Sequence, residues 1–123
     1  MMKIMIKSGS FSRAGIIYDT PTGNQIYNNL PIKGRVNRWG KEIYFSIPVE
    51  ANLEVGASDV VAKGDLAYWP VGNAFCIFFG PTPASRKDEI RAASPVNVFG
   101  QVEGDLENLE KVKNGSEIIV EKR

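Results

Sequence analysis

Five consecutive apolar residues, Phe75-Cys76-Ile77-Phe78-Phe79, stand between Asn73 on one side and Gly80-Pro81 on the other. A strand with one wet face alternates polar and apolar side chains, and this run does not. It is also too short, and too tightly bounded by turn residues, for a buried helix. The segment therefore predicts a strand covered on both faces, the central strand of a sheet.

Elsewhere the alternation returns. Lys3 to Lys7 places Ile4 and Ile6 on one face, and Ala14 to Tyr18 predicts its partner strand, with a Ser-rich loop over 8–13 between them. Glu42 to Ile47 is a strong strand, with Ile43, Phe45 and Ile47 on one face and Glu42, Tyr44 and Ser46 on the other. Val60-Val61 and Leu66 to Trp69 flank a turn at Lys63-Gly64-Asp65. A long connection runs from Gly80 to Pro95, after which Val96 to Val102 and Glu117 to Glu121 complete about eight strands.

Two short helices are expected. Thr20 caps the first and Pro21 occupies its first turn, Ile26 and Leu30 share a face, and Pro31 stops it near Asn29. Asp105 caps the second, which carries Leu106, Leu109 and Val112 at helical spacing. Many short strands with 12 glycines and 7 prolines to turn them favour a closed β-barrel, because closure removes exposed strand edges. A chain of 123 residues without an internal linker predicts one domain over 1–123, large enough to bury a core without disulfides or metal.

Charge and composition narrow the function classes. Lys plus Arg total 15 against 14 for Asp plus Glu, so nothing in the overall balance calls for nucleic acid or an anionic membrane as partner. There is no histidine, and the carboxylates show no calcium-loop spacing, so neither a metal nor another cofactor is expected. The single cysteine, Cys76, lies in an apolar run and reads as a reduced, buried thiol, which fits the cytoplasm. The first apolar stretch returns to charge at Lys7, too soon for a signal peptide or a membrane span.

The segment Phe75 to Pro83, followed by Val96-Asn97-Val98-Phe99-Gly100-Gln101-Val102 and then Glu103 to Leu109, resembles the phenylalanine-rich strand, loop, "VVFGKV"-like strand and helix of cyclophilins. The whole chain resembles more closely the small prokaryotic cyclophilin-like proteins, through Leu30-Pro31, Trp39 to Phe45 and Gly64 to Pro70. The resemblance implies an eight-stranded barrel with a side groove and assigns no reaction. Classical cyclophilins bind proline in an apolar pocket, where an arginine bonds the prolyl nitrogen and favours the twisted amide. Resonance sets that barrier at about 18–20 kcal/mol, so stabilising the twisted state accelerates isomerisation. Here the pocket histidine is missing and the "FHR" segment has no counterpart; Arg35 and Arg38 occupy the right region with altered spacing.

The groove candidates are Trp39, Tyr44, Tyr68 and Trp69, which combine aromatic area with polar handles, together with Phe75, Ile77 and Phe79 of the apolar strand and Arg91 at the groove edge. For most of these, core packing is the plainer alternative, and a solvated loop charge is the alternative for the arginines. Glu42 and Asp65 read as surface carboxylates. Three functions follow in order: a module binding a small molecule or a proline-containing peptide, an atypical peptidyl-prolyl isomerase, and a scaffold without ligand.

Overall fold

The computed structural model describes residues 1–123. Alternation at the N-terminus produces a hairpin of β1 (Met2–Ser8) and β2 (Phe11–Ile17), with Ile4 and Ile6 fully buried. The turn is only Gly9-Ser10: the positive φ of 58° at Gly9 reverses the chain in two residues, so the expected loop over 8–13 is mostly strand.

Helix α1 (Pro21–Asn28) forms where the capping chemistry put it. Thr20 is extended and its hydroxyl accepts from the Gly23 N–H at 3.0 Å, Pro21 sits in the first turn, and Ile26 is buried. After it come two short strands with no sequence signal of their own, β3 (Ile32–Arg35) and β4 (Asn37–Arg38), separated only by Val36. Next are β5 (Glu42–Ser46), β6 (Ser58–Val61), β7 (Asp65–Trp69) and β8 (Ala74–Phe78), then β9 (Ile90–Val102) and β10 (Glu117–Lys122).

Strand β9 begins well inside the expected connection. Pro95 lacks an N–H, and the ladder tolerates it because β6 pairs with β9 through a register shift between Ser58 and Val60. The second helix is a 3-10 segment, Glu107–Lys111, rather than an α-helix. Leu106, Leu109 and Val112 recur every third residue, which is the 3-10 period, and all three are buried.

The sheet order is β3-β10-β1-β2-β9-β7-β8-β5-β4, with β6 attached to β9, and every ladder is antiparallel. The two ends of this path, β3 and β4, are neighbours in the chain, so the sheet curls back on itself. No ladder joins β3 to β4 or β5, and the barrel expected from the sequence is not closed by hydrogen bonds. Side chains cover the seam instead. A Cβ at Gly34 would lie 2.7 Å from the Phe45 ring, so the missing side chain lets β3 lie against β5.

Two apolar clusters result. The larger fills the interior and includes Ile4, Ile6, Phe45, Tyr68, Phe75, Ile77 and Phe99. The smaller lies on the opposite face of β7 and β8 and gathers Ala67, Ala74, Cys76, Phe78, Ile90, Ala92 and Val96, with Tyr44 and Trp69 packed against it. The all-apolar run that predicted a central strand thus serves both clusters: Phe75 and Ile77 face inward, Cys76 and Phe78 outward, and all are buried. No helix is long and apolar enough to cross a membrane.

Candidate functional site

On the outer face of the sheet, over the smaller cluster, β5, β7 and β9 form the walls of a pocket of about 190 Å³. Its lining is Trp39, Glu42, Tyr44, Trp69, Ala92, Ala93 and Val96. Period-two alternation places Glu42 and Tyr44 on this face of β5, opposite Phe78 and Cys76 of β8. Trp69 ends β7, and its indole N–H donates to the Ser94 hydroxyl at 2.7 Å, tying that wall to β9. The Pro70–Gly72 turn folds beneath the ring; a Cβ at Gly72 would stand 3.0 Å from it. Tyr44 and Trp69 meet edge to face, with centroids 6.1 Å apart and planes at 76°.

Trp39 is held by the β4–β5 turn, where its N–H donates to the Glu42 carbonyl at 3.0 Å. Gly40 follows with φ of 63°, and a Cβ there would stand 2.9 Å from the Thr82 backbone. The turn can therefore press against the Pro81–Pro83 rim, and the Lys41 N–H donates to the Pro81 carbonyl at 2.9 Å.

Glu42 is the unusual member. It is 5% exposed, where the sequence suggested a surface carboxylate. Burial pushes its pKa up to about 7, the neighbouring Cys76 thiol acting in the opposite direction. That thiol is itself buried and held well above its ordinary pKa by burial first and by the neighbouring carboxylate second, so it is no nucleophile near neutrality. Asp65 does not join Glu42: its carboxylate accepts from the Ala62 N–H at 2.8 Å and holds the turn before β7. Burial raises its pKa as well, the Ala62 hydrogen bond opposing.

The remaining sequence candidates separate by strand face. Tyr68, Phe75, Ile77 and Phe79 belong to the main core, not the pocket, because alternation turns them away from Trp69 and Cys76. The Tyr68 hydroxyl donates to the Val49 carbonyl at 2.7 Å inside that core. Arg91 is clamped by Glu89, at 2.7 and 3.0 Å, and by Asp59 at 2.6 Å. Arg35 reaches the Gly115 carbonyl at 3.3 Å.

Arg38 has a structural task. Its guanidinium donates to the carbonyls of Leu109, Glu110 and Val112 at 3.2, 3.0 and 3.0 Å and lies 5.3 Å from the Phe79 ring centroid. It thus secures the end of the 3-10 segment. Charge-assisted bonds of this kind contribute roughly 1.5–3 kcal/mol. Arg38→Ala should accordingly lower stability by about 1–3 kcal/mol in urea titrations while leaving the NMR signals of the pocket tryptophans in place.

Sequence reasoning missed Glu42, Ala92, Ala93 and Val96 as pocket residues. For Glu42 the signal was present, since alternation already put it beside Tyr44. For the two alanines there was none, because Pro95 concealed the strand that carries them.

A curled antiparallel β-sheet with an aromatic pocket on the outside of its central strands defines the class. The cyclophilin-like family matches residues 2–121, and the chain belongs to that family. It is similar to a hypothetical protein of the archaeon Archaeoglobus fulgidus whose solution structure is known: 42% identity, 99% of this chain and 95% of the other covered, TM-score 0.83. None of the curated proteins matches the chain.

Proposed function

We propose that this protein is a binding module that takes a small molecule, or the proline ring of a peptide, in the pocket between Trp39 and Trp69. The observation that carries the reading is the lining itself: six hydrophobic residues, three of them aromatic with polar handles, around a single buried carboxyl. Pockets of this make-up bury an apolar ligand and orient it through a few polar groups. A scaffold without a ligand would have no need to keep this hollow open on the outer face. An isomerase acting as classical cyclophilins do would need a guanidinium over the pocket, and Arg35, Arg38 and Arg91 are all engaged elsewhere. The buried single thiol suits a reducing, cytoplasmic setting.

Both tryptophans of the chain line the pocket, so their two indole N–H signals report on it directly. Titrating a small-fragment set and an Ala-Pro peptide against ¹⁵N-labelled protein should shift those signals, and Trp69→Ala should weaken the affected ligands at least ~10-fold through loss of stacking area. Indole signals that no fragment moves, or affinities unchanged in Trp69→Ala, would remove this reading. Exchange NMR on the same peptide is expected to show no acceleration of prolyl isomerisation.

A further inference from the structure

We infer that the pocket selects a small organic cation, an alkylated ammonium group, with Glu42 as its counter-ion and Trp39, Tyr44 and Trp69 as its aromatic walls. The inference rests on the pocket being a ligand site and adds the chemistry of what enters it.

Charge is the first argument. Glu42 is the only carboxyl or cationic side chain among the lining residues. Facing it are Tyr44 on its own strand, the Cys76 thiol from β8, and only uncharged side chains from β7 and β9. The nearby cations are already matched: Arg91 by Glu89 and Asp59, Lys41 by Glu110 at 3.1 Å, and Arg38 by backbone carbonyls. A carboxylate buried without an internal counter-ion is costly, and a cationic ligand supplies the missing charge.

The walls are the second argument. Tyr44 and Trp69 stand at 76° to one another and form two sides of a corner, and Trp39 supplies a third ring. Electron-rich faces at an angle suit a compact, weakly hydrated cation, and aromatic cages for quaternary ammonium groups use the same attraction. Hydrogen-bond donors are the third. The Trp69 N–H is spent on Ser94, so an anionic ligand would meet an aromatic surface, a carboxyl and one fewer donor.

Choline and its uncharged carbon isostere dimethylbutanol test the inference, read by the two indole signals. Near pH 8.5 choline should bind at least ~10-fold more tightly than dimethylbutanol, the margin set by cation–π and charge attraction. Most of the margin should be lost in Glu42→Gln, which keeps the shape and the aromatic walls and removes the charge. With Glu42 titrating at about 7, lowering the pH to about 5.5 should weaken choline in the wild type toward the affinity of the variant, by at most about 30-fold, and leave the variant unchanged. An acetylated trimethyllysine amide, run in parallel, separates a peptide-borne cation from a free one, and binding by either supports the class. If dimethylbutanol binds as well as choline, or other fragments bind and neither cation does, the cation inference is overturned while the binding pocket stands. If nothing moves the indoles, both fall.

Discussion

Between pH 4 and pH 8 the Glu42→Gln variant is expected to gain on the wild type by on the order of 3 kcal/mol of folding stability. In the folded protein burial lifts the Glu42 pKa from 4.5 to about 7, with the neighbouring Cys76 thiol opposing. Between about pH 4.5 and about 7 the folded state therefore holds a proton that the unfolded state has released. Stability due to this group is fully present below pH 4.5, declines as the pH rises through about 7, and is level above it. Glutamine is neutral throughout and shows no such decline. Urea titrations of both proteins at unit pH steps give the comparison. Other groups with shifted pKa, such as Asp65, are common to the two and cancel. Parallel profiles would mean that Glu42 is solvated, and with that the argument for a buried counter-ion would fail.

Phe75→Ala should cost about 3–5 kcal/mol, as is usual for deleting a buried phenylalanine; against an ordinary total stability of about 5–15 kcal/mol this lowers the unfolding midpoint sharply and empties the folded state only where the total is near its lower end. The ring is fully buried, stacked on Phe45 at 5.0 Å and 21° and met edge-on by Phe99 at 5.0 Å and 76°. Removing it breaks two aromatic contacts and leaves a cavity between strands that already pair on both sides of β8. Phe75→Leu should lose much less, because it restores most of the volume. Thermal and urea unfolding measure both variants. Trp69→Ala makes the instructive contrast: that ring is only partly buried, so its loss should fall on ligand binding more than on folding. A folded Phe75→Ala protein with normal stability and impaired binding would restore Phe75 to the groove, where its sequence setting first suggested it.

These variants mark the line between what a local pattern reveals and what packing decides. Alternation in Glu42 to Ile47 and in Lys3 to Lys7 was legible because a half-buried strand must repeat with period two. The cap of α1 was legible because orphan amides need a nearby acceptor, and Thr20 supplies it. The 3-10 segment was only half legible: residues at 106, 109 and 112 satisfy both helical periods, and the hydrogen bonds from Arg38 that hold its end come from far away in the chain. Strands β3 and β4 were invisible because they are short and the fit of Gly34 against Phe45 is a property of the pair.

The pocket divides in the same way. Trp39, Tyr44 and Trp69 were named from their chemistry, and resemblance to cyclophilins pointed to the neighbourhood of the Phe75 strand. Which face of that strand lies under the pocket was not local information, since Phe75-Cys76-Ile77-Phe78-Phe79 is apolar throughout and carries no in/out signal. By itself the sequence determined the mostly β character, the first helix, the central place of residues 75–79 and the membership of a family. Tertiary structure alone decided that the sheet's ends meet without a ladder, that Tyr68, Phe75 and Ile77 face the interior, and that Glu42 is buried beside Cys76. Periodicity and capping act through neighbours in the chain. The burial of a charge depends on strands that the sequence separates and the sheet brings together.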